Sequence, residues 1–135
     1  MGMFDSLGIS ATGMTASRLQ MDVIASNLAN ADTTRDVNGQ PYRRREVVLQ
    51  AASPSFGSVL GGVQVAGIVQ DPTPPRQVYD PGNPDANAKG YVSMPNVNSV
   101  TEMVDLITAS RGYEANVTAM NAAKQMFTST LNILK

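Results

Sequence analysis

The 135-residue chain has room for one ordinary domain, and its ten lysines and arginines nearly balance its eleven aspartates and glutamates. The resulting net charge of −1 gives no global field that would attract nucleic acid or an anionic membrane surface. The sequence contains neither cysteine nor histidine, which excludes disulfides, thiolate metal sites, cysteine nucleophiles and the usual general base near neutral pH.

The N-terminal part predicts a helix with one narrow apolar stripe. Residues 1–10 lack the basic and apolar regions of a Sec-type signal peptide, and no stretch of the chain is apolar enough to span a membrane. Gly8 and Gly13 each cost about 1 kcal/mol relative to Ala inside a helix, so we expect the firm helix to begin near Thr12 and to end near Asn30. Apolar residues recur at heptad spacing at Leu7, Met14, Met21 and Leu28, and Ile24 and Ala31 lie at the neighbouring position of the same stripe.

Residues 35–98 contain all eight prolines and predict a small β-rich insert with long loops. Short alternating segments over residues 42–50, 63–69 and 91–94 indicate strands. Turn signals such as Asn38-Gly39 and Gly61-Gly62 separate these segments.

The insert carries one basic run, Arg43-Arg44-Arg45. Side chains alternate between the two faces of a strand, so the three arginines cannot form one continuous patch. We interpret the run as a solvated or salt-bridged strand, with a subunit contact as the alternative. No interleaved aromatic residues accompany it, so nucleic-acid binding is not expected.

The strongest helical pattern covers residues 99–135. Ser99 followed by Glu102 is typical of a capping box. The apolar residues of this helix form a narrow stripe that its own helix cannot bury, so it requires a partner helix. The partner is either the N-terminal stripe of the same chain, in an antiparallel coiled-coil pair, or the helices of neighbouring chains. The apolar members of its two seven-residue series are Met103, Leu106, Tyr113, Val117, Met120, Phe127, Leu131 and Leu134.

Four asparagines, Asn27, Asn30, Asn116 and Asn121, lie beside the two stripes. Asparagine is a poor residue for a helix interior, so these positions require a reason. One interpretation is that they fix the register between packed helices, and the other is fraying or exposure to solvent.

The carboxylates are scattered. Asp80 and Asp85 have the residue types of an acid–base pair for glycan cleavage, but aspartate beside proline or glycine is ordinary turn chemistry. No nucleophile motif, phosphate-binding glycine loop or metal-ligand spacing is present. The sequence therefore predicts a protein that is not an enzyme and that has no cofactor and no metal site.

Four segments of the sequence resemble the flagellar rod and hook axial protein family, in the family's order. Residues 19–31 are similar to its N-terminal signature, a helix closing on S-N-x-A-N-A, and residues 109–116 are similar to its S-R-x-Y-x-x-N helix. Residues 71–84 and 90–105 resemble the proximal-rod members, as does the short middle part. Gly112 and Pro75 depart from the family pattern, which commonly has serine and an aromatic residue at these places.

This resemblance implies a mainly α-helical structural subunit that leaves the cytoplasm through the flagellar type III export apparatus without a cleaved signal peptide. It would polymerise into a hollow rod that crosses the periplasm and carries motor torque from the membrane ring to the distal rod and hook. The implied partners are copies of itself, the other proximal and distal rod proteins, the adaptor between rod and membrane ring, and the export apparatus. Neither nucleic-acid binding nor direct membrane insertion is expected.

On this interpretation residues 1–34 and 99–135 are helical assembly segments and residues 35–98 are the insert. The alternatives are another flagellar axial paralogue or a coiled-coil binding module that forms discrete dimers without filaments. The predicted assembly interface comprises Leu7, Met14, Met21, Ile24, Asn27, Leu28, Asn30, Met103, Leu106, Tyr113, Asn116, Val117, Met120, Phe127, Leu131 and Leu134.

Overall fold

A computed structural model describes residues 3–36, 39–52 and 61–133 and consists of two long helices joined by a small β region. None of the helices in these ranges combines the length and the apolar character needed to cross a membrane. In chain order the elements are α1 (Met3–Ala29), β1 (Arg45–Ala51), β2 (Val63–Gln70), β3 (Arg76–Tyr79), β4 (Tyr91–Met94) and α2 (Ser99–Ile133).

Helix α1 begins at Met3, so the expectation that the firm helix begins near Thr12 is wrong. Gly8 and Gly13 both lie inside the helix. Packing against α2 stabilises this part of the chain, and tertiary packing commonly outweighs the low helix propensity of single glycines. The helix ends at Ala29, next to the expected boundary at Asn30.

Helix α2 begins at Ser99 as predicted, but its N-terminal cap differs from the expected capping box. The side-chain oxygen of Asn98 accepts hydrogen bonds from the backbone N–H groups of Val100 at 3.0 Å and Thr101 at 3.3 Å. Asn98 is therefore the N-cap residue. The carboxylate of Glu102, which a capping box would direct back to the helix start, points into the protein instead.

The two helices lie along each other and run in opposite directions. Residues later in α1 contact residues earlier in α2. Small residues line the interface, which lets the two backbones approach closely. Three contacts along it join Gly13 with Asn116, Ser17 with Gly112, and Asn27 with Glu102. The buried side chains are Ala16, Ser17, Val23 and Asn27 on α1 and Glu102, Ala109 and Ala123 on α2.

The middle of the chain forms two separate two-stranded antiparallel sheets. In the first, β1 pairs with β2, and the register shifts between Val48 and Leu49. In the second, β3 pairs with β4. The alternating pattern predicted β2 and β4 closely, whereas β3 was not predicted, because only four residues between Pro75 and Asp80 form it. Loops make up most of the described middle residues, so this part is a small β region rather than a β-rich domain.

Substituting Gly8 by Ala is expected to raise the free energy of unfolding by about 1 kcal/mol, because a Cβ there would meet nothing within 4 Å. The same substitution at Gly13 is expected to give a smaller gain or a loss. Its Cβ would lie 2.8 Å from the side-chain nitrogen of Asn116, which would have to move. Thermal unfolding followed by far-UV circular dichroism measures both variants. An equal gain at the two positions would contradict the close helix contact at Gly13.

Candidate functional site

The two helices and the start of β1 meet around the carboxylate of Glu102, which is 0% exposed. The side-chain amide nitrogen of Asn27 donates to one oxygen of Glu102 at 2.9 Å, and Nε of Arg44 donates to the other. A buried carboxylate without such partners would cost several kcal/mol, so the charge is tolerated only in this arrangement. We name Asn27, Arg44 and Glu102 the Glu102 junction.

Asn27 is also 0% exposed, and it ties α1 to the chain at β1 as well as to α2. Its nitrogen donates to the carbonyl oxygen of Arg45 at 2.8 Å, and its oxygen accepts from the N–H of Arg45 at 3.0 Å. The side-chain amide thus pairs with the backbone of Arg45 much as a neighbouring strand would. The hydroxyl of Tyr42 donates to the same oxygen at 2.9 Å. One amide therefore fixes the position of α1 relative to two other elements.

The other asparagines beside the stripes act locally. The side-chain nitrogen of Asn30 donates to the carbonyl of Ser26 at 2.8 Å, and that of Asn116 donates to the carbonyl of Gly112 at 2.9 Å. The first bond lies at the C-terminal end of α1 and the second within α2, and Asn121 is exposed. Of these four asparagines, only Asn27 makes a hydrogen bond between α1 and α2 within the ranges that the structure describes.

The guanidinium of Arg44 is surrounded by four carboxylates. Besides Glu102, it contacts Asp105 at 3.5 Å, Asp71 at 4.0 Å and Glu46. Hydrogen bonds from Thr73, and behind them the charge of Arg44, hold the pKa of the Asp71 carboxyl below its usual value. Asp71 therefore stays ionised beside Arg44 under mildly acidic conditions.

The three arginines of the basic run have different surroundings, but only Arg45 lies in β1, so the alternation of a strand does not account for the difference. Arg44 serves the Glu102 junction, and Arg43 is exposed. Arg45 instead lies over the ring of Tyr42, with 5.4 Å between the guanidinium carbon and the ring centre. Its Nη2 donates to the hydroxyl of Ser26 at 3.0 Å. Two of the three arginines are thus held inside the chain.

A cleft of about 300 Å³ lies between α1, α2 and β1, and Glu102, Arg44, Asp105 and Ala109 line part of it. Within the described ranges every buried polar side-chain atom has a hydrogen-bond partner, and no group of acidic residues is arranged to hold a metal ion. The charged groups of the cleft are engaged with one another. The arrangement is suited to holding three elements together.

The two aspartates of the glycan-cleavage alternative serve loop structure. Asp80 accepts a hydrogen bond from the backbone N–H of Gly82 at 3.3 Å. Asp85 accepts from the hydroxyl of Thr34 at 2.7 Å and pairs with Arg35 at 3.1 Å. These contacts are turn and loop chemistry, which was the interpretation preferred from the sequence.

The residues of the predicted assembly interface flank the buried helix contact. Asn27 alone among them is buried, and Met103, Phe127 and Leu131 are exposed. Leu134 lies outside the described residues. The half-buried members are Leu7, Met14, Met21, Ile24, Leu28, Asn30, Leu106, Tyr113, Asn116, Val117 and Met120. Their contact with other subunits stays a prediction.

Sequence reasoning missed two features. The first is the ion pair between Arg44 and Glu102, since nothing in the two local patterns connects them. The second is a set of exposed apolar residues on α2, Val100, Val104 and Ile107. With Met103 they have the spacing of one helix face, and that signal was available in the sequence.

Substituting Asn27 by Ala is expected to lower the free energy of unfolding by about 2–4 kcal/mol, because the backbone of Arg45 and the carboxylate of Glu102 would each lose a buried partner. Asn121→Ala is the matched control. It removes the same side chain from an exposed position of a helix and should change stability by less than about 0.5 kcal/mol. Chemical denaturation measures both, and similar small effects would show that Asn27 does not hold the elements together.

Two family models match the chain at its two ends. The model described as "Flagella basal body rod protein" matches residues 7–35, and the model described as "Flagellar basal body rod FlgEFG protein C-terminal" matches residues 88–133. The first matched range contains Asn27 and the second contains Glu102, the two residues of the Glu102 junction that lie on helices.

Curated relatives match over almost the full length. The chain is 51% identical to a protein of Bacillus subtilis (strain 168) and 46% identical to one of Escherichia coli O6:H1, with 98% of each chain covered in both comparisons. It is 44% identical to a protein of Borreliella burgdorferi, covering 100% of this chain and 99% of that one. All three are named flagellar basal-body rod protein FlgC. The chain therefore belongs to the flagellar basal-body rod protein family.

Proposed function

We propose that this chain is a structural subunit of the flagellar proximal rod that polymerises through its terminal helices into a hollow tube across the periplasm. Membership of the rod protein family supports the location in the basal body. The observation that carries the assembly mechanism is the large apolar surface that α2 leaves exposed in the single chain.

That surface consists of two groups of residues, one near each end of the helix. At 35 residues, α2 is about 52 Å long. Exposed apolar side chains occur near its start, such as Met103 and Ile107, and near its end, such as Met126, Leu131 and Ile133. Exposed apolar groups of this size on a protein surface commonly mark an interaction site. Burial against neighbouring subunits would supply the free energy of assembly.

The helix pair also supports a role in mechanical coupling. The opposite directions of α1 and α2 are compatible with an antiparallel coiled-coil layer around the tube. The Glu102 junction joins this layer to the β region, so a force applied to one element reaches the others through buried polar contacts. We propose that this body carries torque from the membrane ring towards the distal rod and hook, and that the β region makes lateral contacts.

The remaining partners follow from the family. We propose contacts with the other proximal and distal rod proteins and with the adaptor between rod and membrane ring, after export without a cleaved signal peptide through the flagellar export apparatus. We propose no catalytic role, no cofactor and no nucleic-acid partner.

Leu106→Asp, Met120→Asp and Leu131→Asp are each expected to abolish incorporation into basal bodies and motility, while export continues, because a charge would enter the assembly surface. Motility assays and immunoblots of isolated basal bodies and of culture supernatants measure these effects. Leu131 is 48% exposed, so its substitution should leave the monomer folded, which circular dichroism can verify.

Thr101→Asp is the matched control, since Thr101 is an exposed residue in the first turn of the same helix, where a negative charge is tolerated. Swimming cells with any of the three stripe variants would show that these residues are not the assembly interface. A folded chain that forms discrete dimers and never enters basal bodies would favour the coiled-coil binding module.

A further inference from the structure

The outer face of α2 carries four apolar residues at the spacing of one helix face. Val100, Met103, Val104 and Ile107 are 71%, 51%, 57% and 54% exposed. At 3.6 residues per turn they lie on the side of α2 away from the buried residues that face α1. The same face continues into the exposed Arg111 and Glu114. We name these six residues the α2 outer stripe.

The outer face of α1 carries small and charged residues where the outer face of α2 carries large apolar ones. Its exposed positions follow one another at steps of three and four residues, which places them on one helix face away from α2. Three of the five are small, and the other two carry a charge. These residues, which we name the α1 outer stripe, are Thr15, Arg18, Asp22, Ala25 and Ala29.

Four exposed charges on these stripes have no ion-pair partner within the described ranges: Arg18, Asp22, Arg111 and Glu114. Each stripe presents a positive residue followed by a negative one along the chain. Two such stripes laid antiparallel bring Arg111 to Asp22 and Glu114 to Arg18. Laid parallel, they would oppose arginine to arginine and carboxylate to carboxylate, which is unfavourable.

The same antiparallel register matches large residues with small ones. With the charges paired, Ile107 lies opposite Ala25, and Met103 and Val104 lie opposite Ala29. Helices pack closely where large side chains of one enter a depression formed by small side chains of the other. Charge and shape therefore select one register.

We propose that the α2 outer stripe binds the α1 outer stripe of a second copy of this chain, antiparallel, with Arg111 paired to Asp22 and Glu114 paired to Arg18. This inference rests on the proposed function as an assembling rod subunit and names the partner and the register of that assembly. The second copy fits because the two stripes of one chain complement each other but lie on opposite sides of its helix pair.

The contact joins two different surfaces, so each bound copy leaves one stripe of each kind free. Such heterologous contacts repeat and generate rings or open helical filaments. Copies arranged around a common axis all point the same way, which makes α2 of one antiparallel to α1 of the next, as the charges require.

The proposed register between chains differs from the register of α1 and α2 within one chain, and the difference predicts a shift of each copy along the helix axis. Within one chain, Gly112 of α2 lies opposite Ser17 of α1. Between chains, the proposed charge pairs place Arg111 opposite Asp22 and Glu114 opposite Arg18. The partner helix is therefore displaced by roughly three to four residues, or about 5 Å at 1.5 Å per residue. A shift in one direction at every contact builds a helix rather than a flat ring.

The absence of cysteine from the sequence permits a crosslinking test without background from this chain. Two single-cysteine forms, Ile107→Cys and a tagged Ala25→Cys, would be produced together in bacteria that have no other copy of this protein. After mild oxidation of isolated basal bodies, we expect a disulfide-linked dimer that contains one chain of each form. Ala119→Cys with Ala25→Cys is the matched control, since Ala119 is exposed on another side of α2, and it should give no mixed dimer.

Dimers of Ile107→Cys with itself, or of Ala25→Cys with itself, would indicate a symmetric contact and overturn the proposal. The lack of a mixed dimer from chains present in basal bodies would also overturn it, and would leave a different rod protein as the occupant of the stripe.

Charge exchange tests the register independently. Arg111→Glu and Asp22→Arg are each expected to reduce incorporation into basal bodies about tenfold, because like charges would face each other at every contact. The double variant Arg111→Glu with Asp22→Arg should restore incorporation to within about twofold, since the pair is re-formed with its signs reversed. A double variant as defective as its parents would contradict the pairing.

The outcomes separate this inference from the proposed function. Normal incorporation of the charge variants, combined with loss of incorporation in Leu131→Asp, would refute the register and leave the role in the rod intact. Absence of the unmodified chain from basal bodies would refute both.

Discussion

The architecture of this chain depends on the burial of one carboxylate. Glu102 is removed from water together with Asn27, and Arg44 supplies the compensating charge. The desolvation cost of an unpaired carboxylate exceeds the net gain of an ordinary hydrogen bond several-fold, so only an arrangement that brings all three residues together is stable. Because the three come from α1, from α2 and from the residue before β1, satisfying Glu102 fixes the register of the helices and the position of the β region at once.

The residues that hold the two helices together differ in kind from those that the same helices leave exposed. Between α1 and α2 the chain uses small and polar residues, such as Ala16, Ala109 and Asn27, whose partners lie within the chain. The large apolar side chains of α2, such as Val104 and Ile107, are turned outward. A helix that buried its largest residues internally would keep little free energy for association, whereas this one reaches a defined fold and retains an apolar surface.

The sequence predicted the helices and three of the four strands because these depend on local periodicity. Residues 99–135 carry two interleaved seven-residue apolar series without proline, and Ser99–Ile133 forms the helix. The buried face could not be predicted in the same way. Heptad counting gives weight to large residues such as Met14 and Leu28, but the helices approach each other where the side chains are smallest, as at Gly13 and Gly112. Glu102 fitted a capping pattern locally, and only the distant Arg44 gives it a different role.

The two kinds of contact also differ in strength in the way an assembling subunit requires. The carboxylate of Glu102 is buried, so removing one of its partners is expected to cost several kcal/mol. The charge pairs proposed between the outer stripes are exposed, and such pairs contribute about 0.2–1 kcal/mol each and weaken with salt. A single misplaced copy can therefore dissociate, while a copy held by several neighbours at once gains from their combined effect. With the proposed register, weak outer contacts around a buried inner junction would allow correction during growth and rigidity once the tube is complete.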